Sequence, residues 1–254
     1  MMPAVKFLRK EFSEIIKTHK IFVLPAIFLF FGFLSPLLCK YTPEILKSVG
    51  GVTLDPKLFN TTYTGSYEQL FRNINQMGFI IMILVFMGIV VDEKIKGSVT
   101  MVLTKSLSRN WFIVDKFIAA TVLYTLSFLL AAGACTYYSF LLFPEFSTAN
   151  LLAGLLLLWV YGVFIISFTI FSSTISKTHV ISAVLSLAIF LGTSALGAIP
   201  KVGDYLPGAL SSLGLGLITG TSKYGDVLTP LVICITLILV FISLAVVSFR
   251  KQEL

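Results

Sequence analysis

The chain has 254 residues, 57% hydrophobic and 12% charged, with a mean hydropathy of +0.96 and a formal net charge of +7. Soluble domains carry about 25% charged residues, and their helices need a polar face. A large soluble helical core is therefore excluded, and an all-α integral membrane protein is expected.

Residues 1–20 place Val5, Leu8, Phe12 and Ile15/Ile16 at helical spacing, with Lys6, Arg9, Lys10, Glu14 and Lys17 over the remaining surface. This predicts an amphipathic helix in the membrane interface, its lysines toward anionic headgroups. No small-x-small cleavage site follows the first apolar run, so that run reads as an uncleaved span. Six runs free of Asp, Glu, Lys, Arg and His are predicted to cross the membrane: 21–38, 77–91, 117–143, 151–175, 180–199 and 227–249. Pro25 and Pro36 suggest kinks or frayed ends in the first. The run 77–91 covers only about 22 Å as a helix, short of a core of about 30 Å. Extending it backward takes in Asn75 and Gln76, read as interfacial amides or as residues lining a pathway.

Residues 40–76 form the longest loop on one side, broken by Pro43, Gly50, Gly51, Pro56 and Gly65, with a short helix expected over "SYEQLFRNINQ". Between the last two spans, Leu206–Gly220 is apolar, Gly-rich and too short to cross. It predicts a re-entrant or interfacial hairpin packed on protein. No repeat or linker divides residues 1–254, which read as one membrane domain.

Charge sets the orientation. Segments 1–20, 92–116, 176–179 and 250–254 carry 13 Lys/Arg against 6 Asp/Glu, whereas 39–76, 144–150 and 200–226 carry 6 of each. The net charge thus lies wholly on one face, which the positive-inside rule places in the cytoplasm with both termini. A cell-membrane, multi-pass protein follows, in contact with the lipid bilayer and with no nucleic-acid partner.

Several chemistries are missing from the sequence. "GLITGTSK" (Gly216–Lys223) has the wrong order for a phosphate-binding loop, so ATP hydrolysis by that route is excluded. No carboxylate lies within a span, where ion-coupled transporters keep one. The serine of "GTSALG" (Gly192–Gly197) has no intramembrane histidine to activate it. Cys39, Cys135 and Cys234 are single and match no metal spacing. No catalytic, cofactor-binding or metal residue is assigned.

The most charged segment, "VVDEKIKGSVTMVLTKSLSRNWFIVDKF" (Val90–Phe117), carries the functional signal. Asp92 and Glu93 end the second span. Gly97 and Ser98 suit a break and an N-cap. Val99, Val102/Leu103 and Ser106/Leu107 then recur on one side of a short helix. Ser108 caps the next helix, in which Arg109 and Lys116 share a face that reaches back to Asp92 and Glu93 if the span ends are adjacent. Trp111 belongs at the interface.

In these residues the chain resembles the membrane subunits of type-2 ABC exporters, the ABC-2 permeases. The resemblance rests on Glu93, Gly97, Leu103, Ser108, Arg109 and Lys116, with Ser98 where the family has threonine and Leu107 where it has proline. The amphipathic start, six spans and hairpin extend it over the whole chain. It implies that the short helix is a coupling helix docking on a separate ABC ATP-binding subunit, which uses ATP and Mg while this chain binds no cofactor. It also implies that two copies, or one copy and a homologous permease, form the pathway. The alternative is an ATP-independent channel or secondary transporter, which calls for an intramembrane charge or a polar pore face. Tyr137, Tyr138, Phe140, Trp159, Tyr161 and Phe164 fit an apolar, lipid-like, peptide or drug-like cargo.

Overall fold

The structure is a computed structural model that describes residues 10, 11, 13, 16–50, 62–95, 109–144, 150–197, 199 and 202–252, with backbone alone at 43, 45–50 and 109. Among the described residues it is all-helical, with no strand. The elements are α1 (Lys20–Gly50), α2 (Tyr63–Asn73), a π turn (Ile74–Gly78), α3 (Phe79–Phe86), α4 (Val91–Ile95), α5 (Arg109–Leu142), α6 (Leu151–Ile175), α7 (His179–Gly197), a 3-10 turn (Gly203–Tyr205), α8 (Ala209–Thr219) and α9 (Tyr224–Arg250). Among the described residues, six helical stretches are long and apolar enough to cross a membrane.

Two boundaries differ from the sequence reading. The first helix runs through both Pro25 and Pro36 and on to Gly50, so the whole of the 40–50 region is helix rather than loop. The second span is not short. Residues Tyr63–Ile95 form one path of 33 residues, in which α2, the π turn, α3 and α4 follow one another. Its polar first third was hidden from a hydropathy window by Glu68, Arg72, Asn73, Asn75 and Gln76, although Tyr67, Leu70, Phe71 and Ile74 are buried along one side of it.

Close backbone approach decides which helices pair. α1 lies along α5, and a Cβ on Gly32 would stand 2.5 Å from the Ala131 carbonyl oxygen, so only glycine permits that crossing. Gly154 of α6 and Gly214 of α8 face each other in the same way: each Cβ would stand 2.5–2.7 Å from the other's carbonyl oxygen. The expected hairpin is therefore a short helix laid directly on the fourth span. α6 is the central element, 78% buried over its most apolar window, against 17% for α7 and 11% for α9. α7 and α9 stay at the periphery and present apolar faces outward, as a bilayer allows.

Candidate functional site

The end of the bundle where the net charge gathers is tied together by a buried ion cluster. Lys116, near the start of α5, has a side chain 2% exposed. Its Nζ lies 3.0 Å from Glu93 Oε1 of α4 and 3.0 Å from Glu11 Oε2 of the N-terminal segment. Lys10 Nζ closes the cluster at 2.8 Å from Glu93 Oε1, remaining 42% exposed. Beneath the ammonium, 5.1 Å away, is the Phe112 ring, which stacks on Phe249 at the end of α9. Lys116 and the two carboxylates thus share a site with almost no water, Lys10 caps it from the exposed side, and four segments meet there. Buried charges hold such a geometry only when paired and hydrogen-bonded, which makes the cluster stiff rather than strongly stabilising.

The charge on Glu11 is held there at some cost. Burial pushes its carboxyl above the usual carboxylate range, the neighbouring Glu93 adds to that, and Lys116 and Lys10 oppose it. The turn that delivers Glu11 passes through His19, whose φ of 59° lies in the left-handed region. The Phe22 and Val23 N–H groups donate to its carbonyl and start α1 there.

A second set of contacts surrounds the same end. Asp92 faces His179 at 3.3 Å and Lys20 at 3.9 Å. Lys94 Nζ donates to the carbonyls of Thr174 and Ser176, where α6 ends. Gln252 donates to the Thr174 carbonyl at 2.9 Å, and Arg250 Nε to Asn110 Oδ1 at 2.6 Å. Every spanning path therefore has a polar tether at this end.

Set against the residues singled out in the sequence, the outcome is mixed. Glu93 and Lys116 meet, as expected if the second and third spans end side by side. Asp92 departs from that reading, because its partners come from α1 and α7. Gly97, Ser98, Val99, Val102, Leu103, Leu107 and Ser108 lie outside the described residues, as does the side chain of Arg109. Trp111 is exposed, as a ring in the interface would be. The residue missed was Glu11. Its signal was present in the sequence: it stands three after Leu8 and four before Ile15, an acid on the apolar stripe expected of an N-terminal helix.

At the opposite end, Asn75 and Gln76 separate. Asn75 sits in the π turn and its Nδ2 donates to Phe71 O at 2.7 Å and to Ser211 Oγ of α8 at 2.6 Å. It lines a polar cavity of about 290 Å³ with Tyr161, Thr193, Ser194, Asp204 and Ser212. Gln76 is exposed and does not line it. The aromatic residues do not make one wall either. Tyr137, Phe140 and Trp159 line an apolar groove of about 890 Å³ between α5 and α6, whereas Tyr161 and Phe164 belong to the core.

Comparison with known proteins agrees with this architecture. The family described as "ABC-2 family transporter protein" matches residues 6–254. An uncharacterized transmembrane protein of Bacillus subtilis (strain 168), YxlG, is 27% identical over 261 residues, covering 100% of this chain and 99% of that protein.

Proposed function

We propose that this chain, which belongs to the ABC-2 family of transporter proteins, is the permease subunit of an ATP-driven exporter, with ATP binding and hydrolysis supplied by a separate subunit. Two copies, or one copy and a homologous permease, form the pathway. The basic face lies in the cytoplasm with both termini, and Ser98–Ser108 dock on the ATP-binding subunit. Asn75 lines the pathway at the far end.

The observation that carries this reading is the Lys116–Glu93–Glu11 cluster. It clamps the two residues that flank the docking segment, Glu93 before it and Lys116 after it, to each other and to the N-terminal segment. A push on the segment is then delivered to the second and third spans as a tilt, because the attachment points cannot melt separately. Solvated charges that only fixed topology would not need to be buried to 2% exposure.

The test is extraction in mild detergent after co-expression with the neighbouring genes. An ATP-binding subunit is expected to co-purify stoichiometrically, with ATPase activity that depends on this chain. Its absence under every nucleotide condition overturns the proposal in favour of an ATP-independent channel or secondary transporter.

A further inference from the structure

The second span is broken between α3 and α4. Residues 87–90 contain no proline, and Gly88 weakens the helix there without by itself breaking it. The helix is intact on either side, with Met87 N bonded to Ile83 O at 2.8 Å and Asp92 N to Gly88 O at 2.9 Å. In the gap, Ile89 N reaches only three residues back, to Phe86 O at 3.0 Å. The Val90 and Val91 N–H groups both donate to Ser173 Oγ of α6, at 3.1 and 3.3 Å. The Met87 carbonyl, which Val91 would use in a continuous helix, instead accepts from Ser182 Oγ of α7 at 2.7 Å. Two serines from two other helices have thus replaced two rungs of the ladder, one supplying the acceptor and the other the donor. Side chains inserted in this way are a recognised cause of a sharp bend.

Both serines depart from the habit of their neighbours. Thr169, Thr174, Ser176 and Ser186 all donate to the carbonyl four residues back in their own helix. If Ser182 turned to the Thr178 carbonyl of its own helix and Ser173 drew back, Val90 and Val91 could bond to Phe86 O and Met87 O, and the span would close into one helix. The Val90 and Val91 N–H groups have an acceptor in either arrangement. Two arrangements that satisfy the same groups and differ in shape are what a pivot requires, since a small bias then moves the population. Gly88 keeps room for it: a Cβ there would stand 2.9 Å from Asp92 Oδ2 and 3.1 Å from His179 Nδ1.

We propose that Ser173 and Ser182 are positioning residues that hold the second span open as a joint at Met87–Val90. α4, carrying Glu93 and the ion cluster, turns there relative to α3, which stays packed in the core. The use of this joint as the pivot of an ATP-driven lever rests on the permease reading; the joint itself does not.

The experiment uses the full chain in lipid nanodiscs, with Cys39, Cys135 and Cys234 replaced by alanine. Spin labels are placed at the exposed positions Leu84 and Ile95, which bracket the break. A continuous helix separates these two backbones by about 16 Å. The serine-bearing chain is expected to populate a separation distinct from that value, and S173A/S182A to shift to it. S173T/S182T, which keeps both hydroxyls, is expected to retain the original distribution. S182A alone leaves no N–H group without an acceptor and gives the same shift in milder form should the double alanine variant fail to insert. A single straight-helix separation in the serine-bearing chain, or identical distributions for the alanine and threonine variants, overturns the joint. No nucleotide or second subunit enters the measurement, so its failure leaves the permease reading standing.

Discussion

Lys116 Nζ lies 3.0 Å from Glu93 Oε1 and 3.0 Å from Glu11 Oε2, and all three side chains are at most 4% exposed. Removing the lysine leaves two carboxylates together without water, so Lys116→Met is expected to cost about 3–5 kcal/mol, the range for breaking a buried ion pair. Replacing the set at once, as E11L/E93L/K116M, removes the uncompensated charge and is expected to restore most of that loss, since apolar substitutes for a buried ionic set are often neutral. Thermal unfolding in detergent separates the two variants. If the triple variant is as unstable as K116M, the cluster stabilises the fold by itself rather than fixing its geometry.

Glu11 gives the cluster a pH dependence of unusual sign. Its folded pKa is raised, chiefly by burial. The stability it contributes is therefore fully present below the unfolded carboxylate pKa and is lost as pH rises through the raised folded value. Glu11→Gln removes the titration while keeping the shape. Relative to E11Q, the unsubstituted protein is expected to be most favoured in acid and to lose ground toward neutrality. Melting curves for the two proteins across that range test this. A difference that is flat, or that grows with pH, means that Lys116 outweighs burial at this carboxylate.

Much of this was legible in the sequence for a simple physical reason. A bilayer demands long apolar helices, so the uncharged apolar runs yield the span count. The Glu93–Lys116 pair was also within reach, because an acid ending one span and a base opening the next must meet if those spans are neighbours. What was not legible depends on contacts distant in sequence. Asp92 finds His179, which no spacing rule connects to it. The short helix over the polar first third of the second span was legible, but the full length of that span was not, because Tyr67, Leu70 and Phe71 pack inward as part of one path, a fact hydropathy averages away. The centrality of α6 follows from Gly154 and Gly162 admitting Gly214 and Tyr124 at close range, and nothing in a row of leucines announces it.

The Gly154–Gly214 contact makes its own prediction. A valine at either position drives a side chain into a backbone carbonyl, which cannot swing aside as the Ile218 side chain beside Gly154 can. Gly154→Val or Gly214→Val is expected to lift α8 off α6 and cost about 1–3 kcal/mol, the range for overpacking. Gly133, with no described atom within 4 Å of its Cβ position, serves as the control, and Gly133→Ala is expected not to destabilise the protein. Comparing unfolding midpoints across the three variants checks this. Equal effects at Gly133 and Gly154 are incompatible with a backbone-to-backbone seat for the hairpin.

The Asn75–Ser211 hydrogen bond joins the π turn of the second span to the same short helix. The π turn arises because the Phe79 N–H reaches five residues back to Ile74 O, which widens the helix and turns Asn75 toward α8. Interhelical bonds of this kind in membranes average about 0.6 kcal/mol and reach about 1.7. Asn75→Ala and Ser211→Ala are each expected to fall in that range, with a coupling between them of the same size in a double-mutant cycle. Additive effects would show that the bond contributes nothing of its own.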